Sequence, residues 1–369
     1  MKIDTVELRR IELPLVAPMR TSSGTTATRE VLLVHVSGPD GDGWGECAAL
    51  GEPLYSPEYT DAAAHVVRTH LLPRLAALAD VRAPLVGPAL APVKGHPMAK
   101  AALEMAVIDL ELRAAGMSFG AYLGAVRDRV ASGVAVGIAD SVGELLDVVG
   151  AHLVGGYRRV KLKIAPGWDL EPVRAVRERF GDGVALQVDA NGAYTLADAR
   201  HLARLDPFDL LLIEQPLPDD DLAGHAALAR LIATPICLDE SITSARGAAD
   251  AIGRGACRVV NVKAGRVGGY LEARRVHDVC AALGVPVWCG GMYETGLGRA
   301  ANVALAGLPG FTLPGDLSAS DRYYRCDVTA PFVLDDGRLA VPDGPGIGVA
   351  PDPDVLAEVT TSLERLPWQ

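Results

Sequence analysis

The chain has 369 residues, 49% of them hydrophobic and 22% charged, with a formal net charge of −11. That length holds material for two cores, and an acidic balance with pI about 5.2 and no basic run speaks against nucleic acid as a partner. No apolar stretch reaches membrane-spanning length, and Lys2, Asp4, Glu7, Arg9 and Arg10 interrupt any signal-peptide layout. A cytoplasmic protein without membrane contact is therefore expected.

Residues 1–125 read as an α+β domain. VELRRIELPL (6–15) and EVLLVHVSG (30–38) alternate apolar and polar residues, and the Gly-rich turn GPDGDGWGE (38–46) follows, the pattern of a small antiparallel sheet. AKAALEMAVIDLELRAAG (99–116) has a helical pattern, with Gly116 as its stop signal.

From 126 to 320 the pattern changes to short, β-branched-rich runs separated by helix-compatible segments. The runs are GVAVGI (133–138), RRVKLKI (158–164), ALQVD (185–189), LLLIE (210–214), ICLDE (236–240), VVNVK (259–263), VPVWCG (285–290) and FTLPGD (311–316). Near-continuous apolar strands of this kind belong in a buried parallel sheet. Between them LEPVRAVRERF (170–180), TLADARHLARL (195–205) and LEARRVHDVCAAL (271–283) repeat apolar residues at three and four, as outer helices do. The fold expected is an α/β, (β/α)8-type barrel capped by the N-terminal region. The tail, 321–369, carries one more strand-turn-strand, FVLDDGRLAV (332–341), and is expected to return to the cap. Neighbouring units share spacing but little sequence, so the interval is no solenoid repeat. Six cysteines at 47, 237, 257, 280, 289 and 326 form no CxxC pair and read as buried reduced thiols.

The ionisable residues sit at a regular stride. From Lys163 it is 26 residues to Asp189, 25 to Glu214, 25 to Asp239 and 24 to Lys263, each at the end of an apolar run. In a (β/α)8 barrel the carboxyl ends of the strands converge on one face, so these five become neighbours: three carboxylates flanked by two lysines. One such acid alone reads more readily as a helix N-cap or a surface ion pair. Three together repel unless a cation lies among them, and oxygen-only ligands suit Mg2+. Lysines in buried strands need a paired charge or a lowered pKa. Strand alternation sends Lys161 and Lys163 to one side, where each ammonium favours the neutral form of the other, the condition for a lysine general base. The alternative keeps Lys161 and Lys263 as salt-bridge partners of the carboxylates.

KLK at 161–163, VDANGAY at 188–194, IEQPL at 213–217, LDES at 238–241, NVKAGRVGG at 261–269 and CGGMYETGLGRAANVALA at 289–306 together resemble the enolase superfamily, muconate-lactonizing subgroup. Within it the chain resembles the o-succinylbenzoate synthase and N-succinylamino acid racemase (N-acylamino acid racemase) family. The likeness runs from VELRRIELPLVAPMRTSSG at 6–24 through LPGDLSASDRYY at 313–324 to GPGIGVAP at 344–351. The resemblance implies a modified, enolase-like TIM barrel with Asp189, Glu214 and Asp239 as Mg2+ ligands, Mn2+ or another divalent ion substituting. It makes Lys163 and Lys263 an acid/base pair on opposite faces of a small carboxylate substrate, and Lys161 an aid near the substrate carboxylate. Asn191 and Glu240 are implied as supporting groups, MRTSSGTTATRE (19–30) as a lid, and self-association as the oligomeric habit. Tyr55 and Tyr323 could wall the acyl or side-chain pocket, Gly291 and Met292 could approach the substrate through backbone, and Arg266 matches a residue of the racemase branch. All of these substrate contacts also have an ordinary reading as packing or solvated charge.

Two reactions share the enolate such a site would make: racemisation of N-succinyl or other N-acyl amino acids by two lysines, and the dehydration that forms o-succinylbenzoate in menaquinone biosynthesis. Met19, Leu50 and Ala135 stand where the family tends to carry an aromatic, Met and Ser, which bears on the acyl pocket and not on the chemistry. A dipeptide epimerase on this scaffold would show an acidic pair on the eighth strand, whereas Asp316 is followed by Leu317 and Ser318. Muconate cycloisomerase and a non-catalytic metal-binding barrel are the remaining alternatives.

Overall fold

The computed structural model of the chain describes residues 1–22 and 24–368. Strands β1 (Thr5–Thr21), β2 (Gly24–Gly38) and β3 (Gly41–Cys47) open the chain as an antiparallel meander. Val6, Leu8, Ile11 and Leu13 of β1 are buried as the alternation in the sequence expects, whereas the consecutive Val31–Val34 of β2 are buried on both faces of the sheet. The helix Pro97–Ala115 lies across that sheet and ends at Gly116, whose φ of 64° is the left-handed stop expected of it. Its close approach requires glycine at Gly43 and Gly45, where a Cβ would sit 2.3 Å from the Ala106 carbonyl oxygen and 2.0 Å from that of Ala102.

A short strand, β4 (Arg129–Ala131), leads into seven parallel strands in chain order: β5 (Gly133–Val136), β6 (Arg159–Lys163), β7 (Ala185–Asp189), β8 (Ile213–Glu214), β9 (Ile236–Leu238), β10 (Val259–Val262) and β11 (Val287–Cys289). The eighth expected strand, 311–316, is reduced to single bridges, Val287 with Phe311 and Ser132 with Gly315. Pro314 has no N–H to give, and closure falls to its neighbours. Gly315 N donates to Ala131 O at 3.2 Å, Gly133 N to Gly315 O at 2.7 Å, and Asp316 N to Cys289 O at 2.9 Å, which ties β11 to β5. The helices at 170–180 and 270–282 form as expected, but the 195–205 segment breaks into 3-10 turns around Ala199–Leu202.

Inward-facing residues keep one parity on every strand. At the lower level Leu212, Cys237, Val259 and Trp288 make a small apolar plug, separate from the large core that joins sheet, helices and cap. Two residues further along the first three of these chain segments come Glu214, Asp239 and Asn261, joined by Lys161 of β6, so the plug is the floor on which the polar site stands.

The tail divides differently from its expectation. β12 (Arg338–Ala340) pairs with β4 beside the barrel, and it is a further strand, β13 (Thr360–Pro367), that joins the edge of the cap sheet next to β1. β13 escaped notice because TTSLERLP is an exposed edge strand with no apolar face to alternate. Two cap glutamates also grip barrel helices: Glu46 accepts from Thr295 and Gly298, and Glu104 from Leu271 N at 3.2 Å. Five cysteines are buried and reduced, while Cys326 is exposed, against expectation. Among the described residues no helix is long and apolar enough to cross a membrane.

Candidate active site

The strand register sets the candidate residues side by side. Lys163 on β6 is the lateral partner of Asp189 on β7, Asp189 is the partner of Glu214 on β8, and Glu214 is the partner of Cys237, two residues before Asp239. Three carboxylates thus stand in a row on adjacent strands. Lys163 on β6 and Lys263 just past β10 flank that row, and in a ring of eight positions the second and sixth face each other.

The side chains form one ionic network. Lys163 Nζ donates to Asp189 Oδ2 at 2.6 Å and to Asn191 Oδ1 at 2.7 Å. Lys161 Nζ lies 3.0 Å from Glu214 Oε2, 3.2 Å from Asp189 Oδ2 and 2.6 Å from Asp316 Oδ2. Lys263 Nζ donates to Asp239 Oδ2 and to the Tyr55 hydroxyl, both at 2.9 Å, with Met292 Sδ at 3.5 Å. Asn191 also donates to Glu240 Oε1 at 2.8 Å, through a backbone held at φ 45°.

Charge states follow from these contacts. Burial works against the Lys161 ammonium, but Asp316, Glu214 and Asp189 outweigh it and raise its pKa well above the ordinary lysine value. Lys263 is likewise raised against its burial, by Tyr55, Glu240 and Glu214. The expected mutual lowering within the lysine pair is therefore overridden at Lys161, where the surrounding carboxylates are closer and more numerous than the neighbouring ammonium. Asp189, despite burial, is held below the ordinary carboxylate range by Lys163 and Lys161, whereas burial and the Asp189 charge push Glu214 upward.

A cavity of about 560 Å3 opens above this network. Of the expected substrate contacts, Tyr55, Asn191, Gly291, Met292 and Tyr323 line it, together with Lys161, Lys163 and Lys263. Arg266 and Glu240 do not. Arg266 is 5% exposed and wraps Asp239, pairing with Asp239 Oδ1 and donating to Ile242 O at 2.8 Å and Asn261 O at 2.6 Å. Segment 19–30 is the tip of the β1–β2 hairpin, Ser23 lying outside the described residues. It rests on the barrel through Ile138 N to Arg20 O at 2.9 Å, Arg20 to Asp140 at 3.1 Å and Ser22 Oγ to Ala190 O at 3.2 Å. Ala135 and Leu50 both line the cavity, while Met19 is buried at the hairpin.

Two members of the network carry no signal of stride. Asn261 donates to Glu214 Oε1 at 2.7 Å, and Asp316 joins Lys161 to Arg159. Their inward parity, readable once the strands are placed, would have found Asn261.

As the side chains stand, no three acidic, histidine or cysteine groups among the described residues converge tightly enough to hold an ion. The Lys161 ammonium reaches both Asp189 and Glu214, at 3.2 and 3.0 Å. The donor set itself, carboxylate oxygens on adjacent strand ends, fits a hard divalent ion. Two further buried oxygens beside it, Glu240 Oε2 and Asn261 Oδ1, have no partner among the described residues.

A barrel with a row of acids between facing lysines, under an α+β cap, is the architecture of an enolase-type enzyme. Residues 4–124 match the mandelate racemase / muconate lactonizing enzyme N-terminal domain, and residues 144–355 the enolase C-terminal domain-like family. An N-succinylamino acid racemase of Amycolatopsis is 68% identical over 98% of both chains. An o-succinylbenzoate synthase of Geobacillus kaustophilus is 47% identical, over 94% of this chain and 93% of the relative. A solved enolase-superfamily member from Listeria innocua superposes with a TM-score of 0.96 at 38% identity, covering both chains fully. The chain belongs to the o-succinylbenzoate synthase and N-succinylamino acid racemase family of the enolase superfamily.

Proposed function

We propose that the protein is a Mg2+-dependent racemase of N-succinyl or other N-acyl amino acids, working through an enolate. The observation that carries this reading is that Lys163 and Lys263 face one cavity from opposite positions of the barrel, with the carboxylate row between them. A proton next to a carboxylate is very weakly acidic, and removing it puts a second negative charge on the substrate. In this reading one lysine takes the α-proton and the other returns a proton to the opposite face, so the configuration inverts. Lys161, with its charge secured, sits where it can steady the substrate carboxylate. Asp189, Glu214 and Asp239 would hold the ion, which when bound supplies positive charge for the developing enolate. The 68% identity to a named racemase supports racemisation over the alternative.

The second reading is o-succinylbenzoate synthesis, favoured by the synthases among the relatives at 47% identity. There Lys163 would remove the proton and return it to the departing hydroxyl on the same face, releasing water, while Lys263 stays cationic. Its raised pKa suits that task. One chain could carry both reactions. We further propose a cytoplasmic, self-associating enzyme, by analogy with the family.

The test follows α-proton exchange and optical rotation of N-succinyl-L-phenylalanine in deuterated buffer, with Mg2+ and with chelator, beside a dehydration assay on the synthase substrate. Metal-dependent exchange with loss of rotation supports the racemase. Fast dehydration without exchange replaces it with a dedicated synthase.

A further inference from the structure

The inner face of β6 presents three cations in succession, Arg159, Lys161 and Lys163, because alternate residues of a strand share a side. Arg159 and Lys161 are 0% and 3% exposed, and both lie over the Trp288 ring, at 5.0 and 4.9 Å. The carboxylate of Asp316 is wedged between them. Its Oδ1 accepts from Arg159 at 2.6 Å and its Oδ2 meets Lys161 at 2.6 Å, closer than either Glu214 or Asp189. The chain places it there through the barrel-closing bond from Asp316 N to Cys289 O.

Two of the three carboxylates around Lys161 are the ones assigned above to a divalent ion. When they turn to that ion, the buried ammonium would lose two of its three partners, and a buried charge with none is costly. Asp316 alone stays behind. Both of its oxygens are already committed to cations, so it is poorly placed to act as a fourth ligand.

We propose that Asp316 is a positioning residue: it retains Lys161 at its station and thereby frees Asp189 and Glu214 to bind the metal. The proposal rests on the metal-dependent reading of the site. It gives the Asp316 carboxylate a role separate from closure, which runs through backbone bonds of Gly310, Gly315 and Asp316 and the Arg159 bond to Pro314 O at 2.7 Å.

The experiment is a double-mutant cycle in Mn2+ affinity, measured by calorimetry and by the electron paramagnetic resonance of free Mn2+, on the full chain without substrate. In Asp316→Asn, Lys161 has only Glu214 and Asp189 to pair with and competes with the ion. Mn2+ affinity should fall about tenfold or more, the worth of one redirected charge-assisted bond. In a Lys161→Met background the same change should shift affinity less than about twofold, because the competitor is gone. A purely structural role would weaken binding equally in both backgrounds, and that result overturns the proposal, as does unchanged affinity in folded Asp316→Asn. Should Asp316→Asn not fold, the charge-balanced Arg159→Met/Asp316→Asn pair makes the same prediction for Lys161. Wild-type protein that takes up no Mn2+ would instead sink the metal reading itself, and this proposal with it.

Discussion

Glu46 should make the union of cap and barrel weaken as pH rises. It lies near the end of β3, 6% exposed, and reaches the N-terminus of the barrel helix Gly296–Ala306, accepting from Thr295 Oγ1 at 2.6 Å, Thr295 N at 3.0 Å and Gly298 N at 2.9 Å. Burial pushes its pKa from 4.5 up to about 7, against the Thr295 hydrogen bonds and with help from Glu294. A carboxyl whose folded pKa is raised lends stability that is complete below the unfolded value and is lost as pH rises through the folded one. With those two values, one group removes about 2 kcal/mol of stability between about pH 5.5 and pH 8.5. Glu46→Gln cannot titrate. It turns an amide N–H toward one of the three donors, a penalty of about 1–2 kcal/mol that does not vary with pH. Urea unfolding of both proteins across that range should show the variant gaining on the wild type by about 2 kcal/mol toward alkaline pH. A difference constant within about 0.5 kcal/mol would refute the reasoning, and would mean that the helix-end donors hold the ionised carboxylate more firmly than burial opposes it.

Other perturbations have equally definite outcomes. Lys163→Ala and Lys263→Ala should each lower racemisation by about 1,000-fold or more, while each variant still exchanges the α-proton of one enantiomer, a different one in the two cases. Racemisation persisting in either would remove the two-base assignment. Tyr55→Phe deletes the hydroxyl held by Lys263 at 2.9 Å and donating to Asp239 at 3.2 Å. Turnover should fall about tenfold, with any dependence on the Mg2+ proposed above unchanged, and equal turnover would make Tyr55 mere cavity wall. Gly45→Ala places a Cβ 2.0 Å from the Ala102 carbonyl oxygen, so the helix on the cap sheet must move at a cost of about 2–3 kcal/mol. An unchanged melting temperature would show that the sheet gives way freely.

The parts of this protein that were legible beforehand are those governed by period. A stride of about 25 residues placed Lys163, Asp189, Glu214, Asp239 and Lys263 on successive strand ends, and the register bears out Lys163 beside Asp189 beside Glu214. What escaped depends on contact. The eighth strand fails as a ladder because Pro314 lacks a donor, β13 has no apolar face, and Arg266 looks like a surface charge until the fold closes over it. Asp316 is 157 residues from Arg159, and no local pattern links such a pair.

Charge arithmetic explains why the network must be read as a whole. Five cations, Arg159, Lys161, Lys163, Lys263 and Arg266, are interleaved with five carboxylates, Asp189, Glu214, Asp239, Glu240 and Asp316. Removing one buried partner strands the other at a cost of about 3–5 kcal/mol, whereas removing a matched pair is often tolerated. Loss of activity in a single variant here therefore confounds chemistry with charge imbalance. Arg159 belongs to the network and does not line the cavity, so the pair Arg159→Met/Asp316→Asn separates the two causes. It keeps the sum at zero and leaves Lys163 and Lys263 in place while it removes the Asp316 footing of Lys161.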